Sequence, residues 1–152
     1  MANKVDEMYM REALKEAEQA LASKDRPVGA IIVQQGRVVA RAHEQVLLLR
    51  DPTAHAVVIA ITQAASTLET DQMPQAVVYV TKEPCAMCAG ALLLSGVSRL
   101  VWGAANMKAG ACGSVIDLPG NERLNRRLSV VRDVLAGECY TLLRKASSGA
   151  YT

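Results

Sequence analysis

Phenylalanine is absent from these 152 residues, and the aromatic complement is one Trp and four Tyr. A core of stacked rings is excluded, so the many Ala, Val and Leu must fill it with aliphatic packing. No apolar run is long enough to span a bilayer, and the first residues, Met1-Ala2-Asn3-Lys4-Val5-Asp6-Glu7, contain no apolar segment of the signal-peptide kind. Neither sign of charge dominates: the formal net charge is +2, which gives no global argument for nucleic acid and leaves room only for a local basic face. The four cysteines include one C-x-x-C pair, a pattern that fits metal or redox chemistry in a reduced compartment better than a disulfide framework. The expectation is one soluble domain over residues 1–152, in the cytoplasm.

Met10, Leu14, Ala17 and Leu21 recur at helical spacing and predict an amphipathic first helix over 6–23. Val28 to Val33 and Arg37 to Arg41, separated by Gln34-Gln35-Gly36, predict a hairpin. Residues 43–50 show no clear period and read as a loop. Asp51-Pro52 reads as a helix start, with Asp as cap and Pro at the first helical position, so a buried helix is expected to 66 with His55 in its first turn. Ala76 to Val80 predicts a core strand. Pro84 repeats the helix-start logic for a second buried helix that carries Cys85 and Cys88. Arg99 to Gly103 predicts another strand, 128–131 a last strand and 134–145 a last helix; the tail 147–150 reads as frayed. Two strand-then-helix units imply a largely parallel centre, where ligands gather at strand ends.

Cys85 and Cys88, three residues apart at the head of a helix, can hold one metal, and His55 is the only other strong ligand candidate. Two thiolates and a neutral imidazole leave a tetrahedral zinc one position short, open to a water whose pKa falls to about 7. The same pair could instead be an inert buried pair or a redox dithiol. Cys112 and Cys139 read as small buried side chains, and His43 as a surface residue or one behind the ligands.

Pro27-Val28-Gly29-Ala30, Asp51-Pro52-Thr53-Ala54-His55-Ala56, the run from Tyr79 through Glu83-Pro84-Cys85-Ala86-Met87-Cys88 to Ala91, Lys108-Ala109-Gly110 with Gly113-Ser114, and Asn125-Arg126-Arg127 together resemble the zinc-dependent nucleobase deaminases. The similarity is greatest to the bacterial tRNA-specific adenosine deaminases. It implies an α/β fold, a three-layer α/β/α cytidine-deaminase-like arrangement with a five-stranded mixed sheet, usually a homodimer. It also implies Zn2+ held by His55, Cys85 and Cys88, and a substrate pocket that includes Glu44, Ala54, Glu83, Pro84 and Asn106.

The same comparison marks three departures. Val57 stands where the family has its proton-shuttling glutamate, Glu44 where the tRNA enzymes usually have a base-contacting Asn, and Asn106 near a usual Asp. Valine neither accepts nor donates a proton, and general acid–base catalysis contributes about 10²–10⁴-fold. The non-catalytic subunit of eukaryotic two-subunit tRNA adenosine deaminases also has Val there. Glu44 has two readings, a solvated loop glutamate or a carboxylate that returns to the pocket and replaces the missing shuttle. Glu83 reads as structural before catalytic, and Lys108, Arg126 and Arg127 as a solvated charged face or as phosphate contacts. Leu47-Leu48-Leu49 and Leu92-Leu93-Leu94 could line a dimer contact.

These residues fit hydrolytic deamination of an aminated purine or related nucleobase, with nucleoside or RNA substrates possible. Two other readings are a catalytically silent zinc protein that binds RNA or a partner subunit, and an active enzyme in which Val57 is a variant change.

Overall fold

The sheet takes its shape from a hairpin and two crossovers. In the computed structural model, which describes residues 3–146, β1 (Gly29–Gln34) and β2 (Arg37–His43) pair antiparallel around Gln35 and Gly36. Both turn residues have positive φ, 52° and 74°, the left-handed pair that a two-residue turn between right-twisted strands requires. β3 (Ala76–Lys82) lies antiparallel to β1, and β4 (Arg99–Ala104) and β5 (Ser129–Val131) follow parallel to it, giving the order β2-β1-β3-β4-β5. The expected parallel centre is therefore only half the sheet. The helix after β2 carries the chain over β1, and β3 pairs with the near strand of the hairpin rather than with β2.

Alternation along the strands builds two cores. Ala30, Ile32, Val78, Val80, Leu100 and Trp102 face α3 (Ala56–Leu68) and α4 (Ala86–Ser95). Ile31, Val33, Tyr79 and Val101 face α1 (Lys4–Gln19) and α5 (Ala136–Leu143). This is the expected three-layer α/β/α arrangement with a mixed five-stranded sheet. α1 packs directly on β1 at Gly29, where a Cβ would lie 2.1 Å from the Ala13 carbonyl oxygen. Beneath α1, the carboxylate of Asp6 receives Arg99 Nη1 and Nη2 at 2.7 Å each and the Tyr79 hydroxyl at 3.0 Å.

Several boundaries differ from expectation. The first helix ends at Gln19 and tightens into a 3₁₀ turn over Ala20–Ser23. Asp51 does not cap a helix: its carboxylate accepts from the amide and hydroxyl of Thr53, and α3 begins only at Ala56 with His55 as its N-cap. Likewise Pro84 precedes the helix, Cys85 is the N-cap, and α4 begins at Ala86. The stretch read as a loop contains one helical turn, α2 (Val46–Leu49), and the last helix spans 136–143 rather than 134–145. Of the two leucine runs, Leu47, Leu48 and Leu49 are exposed, whereas Leu92 and Leu93 are core and only Leu94 is exposed. The tail at 147–150 lies outside the described residues. No helix among those described is long and apolar enough to cross a membrane.

Candidate active site

One edge of the sheet collects every group with the relevant chemistry. Because β1 runs opposite to β2 and β3, its N-terminus lies beside their C-terminal ends, and Ala30 pairs with Ala42 and Val80. Val28, Glu44 and Asn106 lie just outside the strands at this end, Lys82 is the last residue of β3, and the N-caps of α3 and α4, His55 and Cys85, face the same space. The result is a cavity of about 320 Å³, within the usual range for small-ligand pockets. Val28, Val46, Val57 and Val80 supply an apolar wall; Arg26, Glu44, Lys82 and Asn106 supply the polar one.

His55, Cys85 and Cys88 converge at one side of the cavity, with their donor atoms all within 4.8 Å of one another. His55 Nδ1 lies 3.6 Å from Cys85 Sγ and 3.5 Å from Cys88 Sγ. Tetrahedral zinc with ordinary Zn–S and Zn–N bonds would separate nitrogen and sulfur by about 3.6 Å, so both the donor types and their spacing fit zinc. The neighbouring Cys88 thiol, then His55, hold the Cys85 thiol well below its ordinary pKa. Cys88 is pushed up by its contact with Cys85 and by burial. His55 is raised by the Cys85 sulfur against an opposing effect of burial. Cys85 is thus the more readily ionised thiol of the pair, and a divalent cation would displace the Cys88 proton.

Glu44 is not solvated. It is 2% exposed and lines the cavity, with Oε2 receiving Arg26 Nε and Nη2 at 2.7 Å each. Its loop is anchored by Asp25, the residue before Arg26. That buried carboxylate accepts from the amides of Leu47 at 2.6 Å and Leu48 at 3.2 Å, capping α2. The dipeptide before β1 therefore fixes both the loop after β2 and the carboxylate that loop delivers. Val57 is buried in the cavity wall on the first turn of α3, two residues after His55.

Glu83 has a different task. Its carboxylate accepts from the amides of Asn106, Cys112 and Ser114 and from the Ser114 hydroxyl, which folds the 105–114 loop against the site. Gly110 makes this possible, because a Cβ there would lie 2.5 Å from that carboxylate. Asn106 and Pro84 line the cavity; Ala54 is buried beside it without lining it, its carbonyl accepting from the Gln45 amide. Arg126 donates to the carbonyls of Leu93 and Leu94 at the end of α4, where a cation complements the helix dipole. Lys108 and Arg127 are exposed. His43 faces Glu16 on α1, 3.9 Å away, remote in role from the metal donors. Cys112 and Cys139 are buried free thiols.

Sequence reasoning missed Arg26 and Lys82. Lys82 was reachable, since period two along β3 puts it on the face of Val78 and Val80. Arg26 gave no local signal, because its partner lies 18 residues on.

A strand-edge cavity with two helix N-caps presenting His and Cys donors defines a zinc hydrolase site of the nucleobase-deaminase type. Residues 3–104 match the cytidine and deoxycytidylate deaminase zinc-binding region, and the chain belongs to that family. It is 42% identical over 138 residues to the tRNA-specific adenosine deaminase of Bacillus subtilis, covering 91% of this chain and 86% of that one. Among solved structures it resembles a protein studied for A-to-I editing by tRNA:A34 deaminases, with TM-score 0.85 and 34% identity over 89% of this chain and 98% of the other. It also resembles the guanine deaminase of Nitrosomonas europaea, with TM-score 0.78 and 26% identity over 96% and 85%.

Proposed function

We propose that this chain, as a single domain over 1–152, catalyses hydrolytic deamination of an aminated purine, adenine-type in the first instance, with Glu44 as its proton shuttle. The observation that carries this reading is a buried carboxylate, fixed by Arg26, in the same cavity as His55, Cys85 and Cys88, while position 57 is aliphatic.

His55, Cys85 and Cys88 would hold the zinc, which when bound supplies Lewis-acid activation of water. Glu44 takes a proton from the attacking water and returns it to the ring nitrogen; it then carries the proton of the newly added hydroxyl to the amino group, so that the C–N bond breaks, the carbonyl forms and ammonia leaves. Arg26 keeps that carboxylate pointed, an orientation worth more in a low-dielectric pocket than in water. Val28, Val57 and Val80 pack the heterocycle and exclude bulk water. The exposed leucines of α2 suit a homodimer contact, and the tRNA activity of relatives makes an RNA-borne adenosine a natural substrate alongside free nucleobases and nucleosides. Four free cysteines suit a reducing compartment such as the cytoplasm.

Val57 favours one competing reading, a zinc-binding homologue without turnover that binds RNA or serves a partner subunit. Ammonia release by the zinc-loaded protein, measured across adenine, guanine, adenosine, cytidine and a tRNA anticodon stem-loop, separates the two. Release from at least one purine substrate, lost on chelation, is the expected result. Zinc bound at one ion per chain with no release from any substrate would establish the silent reading. Val57→Glu, which restores a carboxylate beside His55, would then generate activity in a scaffold that has none.

A further inference from the structure

We propose that Lys82 is a specificity-determining contact of this cavity, donating to an oxyanion, carboxylate or phosphate, carried by the substrate. The inference rests on the reading of the cavity as a substrate site and deepens it by naming the substrate's charge.

Period two along β3 turns Val78, Val80 and Lys82 to one face, and Lys82 follows Val80 into the cavity. The other charged side chains there are already committed. Glu44 is matched by Arg26, and Glu83, the next residue along, also lines the cavity but is occupied by four donors from the 105–114 loop. With two thiolates offsetting a divalent cation, the metal donor set adds no net charge. Lys82 hydrogen-bonds to no side chain or backbone group among the described residues. Arg26 and Lys108 repel its ammonium while Glu44 and Cys85 attract it. Burial first, then Arg26, pushes it down to about 8 from the ordinary lysine range, so the position gains from an added negative charge.

A neutral aminopurine closing over this ammonium would strip its water and return at most an uncharged ring-nitrogen acceptor. An oxyanion would replace that water with a charge-assisted hydrogen bond. A 5′-phosphate and a carboxylate on the heterocycle both meet the requirement, and binding measurements distinguish them.

The test is calorimetric titration of the zinc-loaded full chain with two matched pairs: adenosine against adenosine 5′-monophosphate, and 9-ethyladenine against adenine-9-acetate. At least one anion is expected to bind tenfold or more tightly than its neutral partner, and the pair that shows it identifies phosphate or carboxylate. Lys82→Met should abolish the preference and Lys82→Arg retain it, with zinc content and melting temperature reporting an intact fold in both. Equal affinity within both pairs, or a preference that survives Lys82→Met, would overturn the assignment. Ammonia release measured on the same samples keeps the two readings separate. Anion preference without release sustains Lys82 and sinks the deaminase reading; release without anion preference does the reverse.

Discussion

Asp6 and Glu44 are both buried carboxylates gripped by an arginine, yet their surroundings give them opposite roles. Asp6 is closed off: both oxygens are occupied, Arg99 approaches as a fork, Tyr79 adds a third bond, and Asn3 caps the helix that carries it. Arg26 instead meets Glu44 on a single oxygen, Oε2, and Glu44 lines a cavity shared with three metal donors. A fully saturated carboxylate stabilises the fold and has nothing left for chemistry. One held at an edge of an open cavity can exchange protons with what enters. Glu83 lines the same cavity, but with four donors on its carboxylate it belongs with Asp6 despite lying two residues from Cys85.

The contrast can be broken most sharply by removing the metal donors themselves. Cys88→Ala should abolish zinc binding and bring ammonia release to background, read by metal analysis and a coupled ammonia assay; retained stoichiometric zinc would refute the ligand assignment. The next largest effects come from stripping each carboxylate of its arginine. Arg99→Met leaves Asp6 buried without its counter-ion and should cost about 3 kcal/mol in urea unfolding, with zinc content unchanged. Arg26→Met should cost a similar amount, about 3 kcal/mol, because Glu44 is as buried as Asp6 and would likewise lose its counter-ion. It should also slow turnover by about tenfold, while Arg99→Met leaves turnover per folded molecule intact. The same rate per folded molecule in both variants would erase the distinction.

Acid offers a smaller and complementary test. The Asp6 carboxyl is held below its ordinary value by Arg99 and Tyr79, which together outweigh the upward push of burial. A depressed carboxyl pKa stabilises the fold fully above the unfolded value near 3.8, and that contribution is lost as pH falls through the lower folded value. Unfolding free energies of wild type and Asp6→Asn, which differ at pH 7, should therefore converge as pH drops below 4. A gap that stays constant into acid would show that the Asp6 charge is irrelevant to stability.

What was legible in the chain followed from local rules. Cys85 and Cys88 lie three apart at a helix head, and His55 follows an Asp-Pro turn, so residue type and spacing sufficed to bring the metal donors together. The run from Ala76 to Val80 likewise read as a core strand, and it is β3. Both metal helices begin later than their prolines suggested: the Asp51 side chain closes a turn with Thr53 and leaves His55 as the N-cap of α3, and Cys85 after Pro84 is the N-cap of α4. Glu44 could not be settled from sequence. Its burial depends on Arg26 and on Asp25 capping α2, both contacts between segments on either side of the hairpin. The antiparallel pairing of β3 with β1 was hidden for a similar reason, since strand order is a property of how α3 crosses the sheet and not of any strand's own residues.

The most direct measurement is ammonia release by zinc-loaded Glu44→Gln beside wild type, on whichever purine the wild type turns over, with zinc content determined on the same samples. A shuttle at Glu44 predicts that the amide variant keeps its zinc and loses about 10²–10⁴-fold in rate. Undiminished turnover in a zinc-replete Glu44→Gln enzyme would contradict the account and send the search for the proton carrier elsewhere in the cavity.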